Sequence, residues 1–346
     1  MNTFMARSTI LDVCTKYKEA AILDKVRIGF IGVGGMAEHH MNTLQNIETA
    51  VLAAVYDING ERAKQIGDKF GAEVFASEMA LLDSGKVDAL YVCTPPFTRG
   101  DTETMAAERG IHLLSEKPVG LDMDTVNRIG RKISEAGIIN SSGYCLRYLD
   151  NVQKAKAYLT NKPINMVVAY RIGGLPPTKW FAQMDQSGGQ MVEQSTHQVD
   201  LVRYLVGEFD QVQAVYAQRS IRNIDPDATI PDVGVVSFRL KSGAVGSFVN
   251  SCVSDYHGRG DIEIYGPDFY LSIDGHSLTI RDAHQNITET CTTDFYAAQN
   301  SAFVEAIRSG RQELVLGSYA EAAATLAATL AFNEAAEKQG VVAVGE

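Results

Sequence analysis

Lys117 stands in Ser115-Glu116-Lys117-Pro118, directly after a short apolar run. A lysine held at a ligand crevice acts as a fixed cation for an alkoxide, and partial desolvation tunes its basicity. A second cluster follows in Gly188-Gly189-Gln190-Met191-Val192-Glu193-Gln194-Ser195-Thr196-His197-Gln198-Val199-Asp200. If that stretch is helical from Gly189, Glu193 and His197 lie one turn apart on one face, and Asp200 is placed to orient the imidazole. Taken singly, each group has a plainer reading: a lysine before a turn, or a histidine satisfied in a helix interface. A zinc or manganese site is disfavoured, because no second histidine sits at ligand spacing.

A third stretch, Val26 to Ala37, reads V-R-I-G-F-I-G-V-G-G-M-A. A strand-like run enters Gly32-x-Gly34-x-x-Ala37, and a helix-like segment follows, the context in which this spacing cradles a dinucleotide. Gly32 permits the tight turn, Gly34 lets a pyrophosphate approach the backbone, and Ala37 allows close packing of helix on strand. Gly35 and Met36 complete the turn, and the amides at the helix start face the phosphates. Asp57 lies twenty residues beyond Ala37 and is placed to accept hydrogen bonds from the adenosine ribose hydroxyls. A carboxylate there repels a 2′-phosphate, so NAD is favoured over NADP, with Arg62 able to soften the preference. The alternative is a strand-end Asp that caps the next helix. Thr94-Pro95-Pro96 follows another apolar run and gives a rigid loop on the same ligand-binding edge.

The elements needed to position these groups are visible in the pattern. Strand-like segments at 26–31, 51–56, 73–75, 89–93, 112–115 and 138–141 alternate with helical ones at 37–46, 60–70, 78–83, 101–109 and 123–136. That alternation predicts an α/β unit with a doubly wound parallel sheet over residues 25–145. The pattern then changes. A helix near 151–159, a strand at 166–171 and one helix over 189–206 precede long alternating segments at 211–219, 233–240, 244–251, 260–265, 270–273 and 277–281. These predict a large, mainly antiparallel open sheet in a second unit over 146–346, closed by helices at 299–309 and 319–339. Residues 1–24 precede the first strand as an extension, with one short helix expected over 10–21.

The 346 residues exceed one typical core, in agreement with two units. A net charge of −11 argues against a broad nucleic-acid or anionic-membrane footprint. The five cysteines are scattered, odd in number and never spaced C-x-x-C, which fits reduced thiols in the cytoplasm. No apolar run approaches the ~18 residues of a membrane helix, and the N-terminus lacks the apolar region of a secretory signal. Asn286-Ile287-Thr288 matches a glycosylation sequon without meaning in that compartment.

Taken together and in this order, G-V-G-G-M-A, S-E-K-P and G-G-x-x-x-E-x-x-x-H-x-x-D resemble the glucose–fructose oxidoreductase/inositol dehydrogenase (Gfo/Idh/MocA) family, over roughly residues 25–343. The resemblance implies a Rossmann domain, a second α/β domain whose open sheet serves homodimer or homotetramer contacts, and NAD(P)-dependent oxidation of a secondary alcohol on a sugar, inositol or related polyol. It also implies roles. Lys117 holds the hydroxyl and stabilises the alkoxide, His197 is the general base, and Glu193 takes the place of the family's usual Asp. Gly32, Gly34, Gly35, Met36 and Ala37 hold the pyrophosphate, Asp57 the ribose, Thr94 and Pro95 lie beneath the dinucleotide, and Glu116 sits near the nicotinamide ribose. Walls of the sugar pocket are expected from Tyr148, Arg171, Trp180 and His257. Two departures stand out: Glu193 is one methylene longer than Asp, and Arg99 occupies a position where many members carry His. Two other readings use the same residues, a cofactor-sensing regulator without turnover and a redox-neutral enzyme with tightly held NAD.

Overall fold

A computed structural model describes residues 25–345; the helix expected over 10–21, and Cys14, lie outside them. The first part of the chain alternates through β1 (Val26–Ile31), α1 (Gly35–Leu44), β2 (Ala50–Tyr56), α2 (Gly60–Phe70), β3 (Glu73–Val74), α3 (Glu78–Leu82), β4 (Ala89–Val92), α4 (Asp101–Glu108), β5 (His112–Ser115), α5 (Met123–Ala136) and β6 (Asn140–Ser142). The strands form one parallel sheet in the order β3-β2-β1-β4-β5-β6. The order reverses between β1 and β4, so the carboxyl ends of these two strands flank the crevice where such sheets bind ligands. Local chemistry sets the helix limits. Asn59 and Asp122 cap α2 and α5 by accepting from the amides of Arg62 and Thr125, and left-handed Gly71 and Gly137 end them.

The second part runs through α6 (Asp150–Leu159), β7 (Met166–Ile172), α7 (Met184–Ser187), α8 (Gln190–Glu193), α9 (Thr196–Leu205), β8 (Phe209–Ala217), β9 (Val233–Leu240), β10 (Val245–Ser251), β11 (Ile262–Tyr265), β12 (Phe269–Asp274), β13 (Ser277–Asp282), β14 (Asn286–Thr290), α10 (Phe295–Ser309), α11 (Tyr319–Lys338) and β15 (Val342–Ala343). Nine strands make one sheet in the order β14-β13-β12-β11-β7-β10-β9-β8-β15. Every pairing is antiparallel except β7 with β10. Residues of β9 alternate between buried and outward-facing, as a sheet covered on one side requires. The buried face packs on α6, α9 and α11 around Phe209, Phe238, Phe248 and Phe332. The opposite face leaves Val215 and Val235 exposed.

Two expectations need correction. The single helix over 189–206 is two, because the chain breaks at Gln194-Ser195 between α8 and α9. Strands β14 and β15 were not expected, and the sequon residues Asn286 to Thr288 lie on β14. The closing helices also cross back to the first sheet: Phe303, Val304 and Ile307 of α10 share a core with Val26, Ile28 and Phe30. Tyr319, Ala322 and Leu326 of α11 pack with Ile129 and Ile133, while Ala328 and Phe332, further along the same helix, reach the second core. Small alanine side chains let this helix approach both layers. Among the described residues no helix is long and apolar enough to cross a membrane.

Candidate active site

At the carboxyl end of β1, Gly32 has φ +81° and lies so close to β4 that a Cβ would stand 2.9 Å from the Thr94 amide. Only glycine combines that backbone with that contact. Gly34 and Gly35, by contrast, have no atom within 4 Å of an added Cβ, and with Met36 they are exposed. Gly34 is the N-cap of α1 and supplies no side-chain cap, so the first-turn amides are left for a ligand. Ala37 is fully buried against the sheet. This open glycine turn before an uncapped helix fits a pyrophosphate.

Asp57, just past β2, accepts from the Val33 amide through Oδ2 and from the Asn59 amide through Oδ1, each at 2.8 Å. It ties the glycine turn to the β2 loop and keeps lone pairs for ribose hydroxyls. Capping of α2 falls to Asn59, which removes the plainer reading of Asp57. Arg62 does not stand free beside it. Its Nε donates to the Val33 carbonyl at 3.0 Å and its Nη2 to Glu38 at 2.5 Å, while Lys69 also pairs with Glu38 at 2.7 Å. Thr94 and Pro95 begin the loop after β4. Arg99 is buried there and braces it, donating to the carbonyls of Val92 and Thr94 at 2.9 and 2.7 Å and to Ser115 Oγ at 2.8 Å.

Glu116 and Lys117 follow β5 on the same edge. Lys117 Nζ donates to Glu193 Oε1 at 2.7 Å and to the Glu193 carbonyl at 2.8 Å, with both side chains 15% exposed. The break after α8 is what turns the Glu193 carbonyl toward the lysine, since a continuous helix would engage it. Glu116 is buried and accepts from the Lys117 amide at 3.0 Å. Its Oε1 lies 3.0 Å from His40 Nε2, and His40 Nδ1 lies 2.9 Å from Asn300 Oδ1. Asn300 uses its amide nitrogen on Thr43 and the His40 carbonyl, so its oxygen is the acceptor and His40 Nδ1 carries a proton. Burial raises the Glu116 carboxyl, but the hydrogen bond and charge of His40, with the charge and amide of Lys117, hold it below its ordinary value. Gly143 presses on this carboxylate, and a Cβ there would overlap it.

His197, in the first turn of α9, is partly buried and meets the Tyr144 ring edge-on at 6.0 Å between centroids. Its Nδ1 is buried with no partner among the described residues. Burial first, then the charge of Lys117, depress the imidazole to about 3, with Arg171 adding to this and Glu116 opposing it. The ring is therefore neutral throughout the neutral pH range. Asp200 does not orient it. Both Asp200 oxygens are taken by Arg147, at 2.8 and 2.7 Å, and Oδ1 also accepts from Thr325 at 3.0 Å.

The four expected pocket walls separate. Arg171, near the end of β7, is partly buried and acts on the charge state of His197. Trp180 is partly buried across from Phe97 of the loop after Pro95, with ring centroids 6.5 Å apart. Tyr148 is buried, accepts from the Leu316 amide at 2.9 Å and has its hydroxyl pushed up to about 12 by burial, so it is a core residue and not a wall. His257 is exposed on a loop, its carbonyl accepting from Ser254 at 3.1 Å. His40, Asn300, Tyr144 and Arg147 were not singled out in the sequence. Only His40 had a local signal there, one helical turn beyond the Ala37 of the glycine motif.

The chain is similar to known oxidoreductases. Residues 26–144 match the model of the GFO/IDH/MocA oxidoreductase family, NAD-binding Rossmann fold, and residues 161–271 match the GFO/IDH/MocA C-terminal domain. Myo-inositol 2-dehydrogenase of Thermotoga maritima is 30% identical over 249 residues, covering 70% of this chain and 73% of that one. The NAD(+)-dependent scyllo-inositol 2-dehydrogenase of Bacillus subtilis is 27% identical over 312 residues, 84% of this chain and 89% of that one. Among solved structures, a levoglucosan dehydrogenase in complex with NADH and L-sorbose superposes with a TM-score of 0.84 at 20% identity, over 93% of this chain and 100% of that one, and shares the fold.

Proposed function

This chain belongs to the GFO/IDH/MocA oxidoreductase family, and we propose that it transfers a hydride between NAD and a secondary alcohol of a sugar, inositol or related polyol. The observation that carries the reading is Lys117, held by Glu193 at the edge of the first sheet and electrostatically coupled to a neutral His197. Gly32, Gly34, Gly35, Met36 and Ala37 hold the pyrophosphate, and Asp57 the adenosine ribose. Thr94 and Pro95 line the path between, and Glu116 faces the nicotinamide ribose. Bound there, the nicotinamide supplies the hydride acceptor. Lys117 donates a hydrogen bond to the substrate hydroxyl and stabilises the alkoxide that develops. His197, kept neutral by burial and by Lys117, accepts the hydroxyl proton. Glu193 acts as the positioning partner of Lys117, for which its extra methylene gives the reach.

Residues 25–145 form the dinucleotide-binding unit and 146–346 the substrate-binding and oligomerisation unit, with α10 and α11 tying the second to the first. The uncovered face of the nine-stranded sheet, where Met166, Val215, Val235 and Val245 are exposed, supports a homodimer or homotetramer. Free thiols at Cys93, Cys145, Cys252 and Cys291 support a reducing, cytoplasmic setting. The paired Asp57 and the neutralised Arg62 favour NAD over NADP.

Titration of cofactor-stripped protein with NAD and NADP, followed by absorbance of the reduced nicotinamide across a panel of sugars and polyols, tests the assignment. Reduction of NAD by one such class supports it. Tight NAD binding with no net reduction, and an isomerised or cleaved sugar among the products, moves the assignment to the redox-neutral reading.

A further inference from the structure

Arg171 is the last residue but one of β7. Side chains alternate along a strand, so it shares a face with Val167 and Ala169, both buried in the core under the helix layer. Its side chain thus lies on the helix-covered side of the sheet, where the strand runs out beneath α8 and α9. The strand end is tied to α8: Asn250, its register partner on β10, donates to Gln190 Oε1 at 2.9 Å, and Gln190 Nε2 donates to the Arg171 carbonyl at 3.2 Å. Gly173 adds no bulk, and a Cβ there would stand 3.5 Å from Arg171 Nη1.

Other arginines around this site are satisfied. Arg147 holds Asp200 at 2.7 Å, Arg203 holds Glu208 at 2.7 Å and Arg259 holds Asp261 at 2.5 Å. Among the described residues the Arg171 guanidinium makes no hydrogen bond and no ion pair; Asp255 lies against Gly174 and does not pair with it. The residue is partly buried, and its guanidinium donors, without a protein partner, are left for an anion that reaches them. The charges nearby leave it in surplus. Lys117 is offset by Glu193, Glu116 is turned to His40, and His197 is neutral.

We propose that Arg171 binds an anionic group of the substrate, a carboxylate or a phosphate, so that the preferred substrate is an acidic sugar or polyol derivative. The planar fork of a guanidinium matches either group through two parallel hydrogen bonds. This rests on the oxidoreductase reading of the same site and narrows its substrate class.

The test uses the full chain loaded with NAD, which keeps anions off the pyrophosphate site. Calorimetric binding of D-gluconate and glucose 6-phosphate is compared with that of D-glucitol and myo-inositol, in the wild type, R171Q and R171K. The wild type binds one acidic probe roughly 100-fold more tightly than the neutral ones, on the scale of one charged pair. In R171Q this ratio collapses toward one, and R171K retains part of it. Which acid shows the preference separates carboxylate from phosphate. Unchanged NAD affinity in each variant reports an intact fold. A wild-type ratio near one, or a ratio that survives in R171Q, overturns the proposal. NADH formation is followed in the same mixtures. An acidic preference with no NADH from any probe supports the Arg171 site and defeats the oxidoreductase reading. NADH from neutral polyols with a ratio near one does the reverse.

Discussion

Lys117 Nζ and Glu193 Oε1 lie 2.7 Å apart although 76 residues separate them in the chain, and the Glu193 carbonyl takes a second hydrogen from the same ammonium at 2.8 Å. The lysine comes from the edge of the first sheet and the glutamate from a four-residue helix under the second. The ion pair therefore joins the two layers at the point where substrate and nicotinamide are proposed to meet. Glu193→Ala frees the ammonium to wander and leaves it unpaired, which lowers kcat by ~10²-fold, within the range for a positioned acid–base group. Glu193→Asp, with the shorter reach, gives a smaller loss, and Glu193→Gln lies between them. Equal kinetics in all three would place Glu193 outside the mechanism.

The imidazole of His197 is held neutral, which fixes the sign of a pH effect. Its folded value, about 3, lies below the ordinary 6.5. Above 6.5 neither the folded nor the unfolded chain binds a proton there. As pH falls from 6.5 toward 3 the unfolded chain takes one up first, so stability is lost across that window by ~1 kcal/mol per pH unit. Chemical denaturation at pH 7 and pH 4.5 should show this loss in the wild type and a smaller one in His197→Asn. A His197-dependent rise in stability on acidification would contradict the assignment.

Gly32 and Gly34 separate folding from binding. Gly32→Ala places a methyl group against the Thr94 backbone in a left-handed conformation, so it lowers Tm as well as NAD affinity. At Gly34 an added Cβ has no protein atom within 4 Å, so Gly34→Ala is accommodated and puts a methyl group where the pyrophosphate would lie. It should leave Tm of the unliganded protein nearly unchanged and weaken NAD at least ~10-fold, by removing close approach to charged phosphate oxygens.

Cofactor choice rests on Asp57 and on the Glu38 clamp. Asp57→Ser removes acceptors for the ribose and weakens NAD by roughly 10- to 100-fold, the range for hydrogen bonds to a charged group. Adding Glu38→Gln releases Arg62 and Lys69, and the double variant should bind NADP better than either single one. Competition titrations of the two dinucleotides check both statements.

The first sheet was legible because each of its elements carries a local signal: an apolar run of strand length, a helical period, a capping residue or a closing glycine. The same local character made Gly32 to Ala37 and Asp57 identifiable. The helix break at Gln194-Ser195 was not, because two short helices in line carry the same apolar spacing as one continuous helix. Asp200 was misread for a related reason. Three-residue spacing suggested His197, while the true partner, Arg147, lies 53 positions away on another element. The partners that hold Glu116 and Lys117 are likewise distant in sequence, and the parallel pairing of β7 with β10 leaves no mark in either strand alone. Tyr148 shows the converse error, a residue type suited to a pocket that the fold uses as core.

The most direct test of the account is the turnover of Lys117→Ala against the wild type, with the polyol or sugar that the panel identifies and with NAD affinity measured alongside. The expected result is a fall in kcat of ~10²- to 10⁴-fold, the range for a group that acts on the proton and developing charge in the transition state, with NAD binding changed little. Near-normal turnover in Lys117→Ala would contradict it.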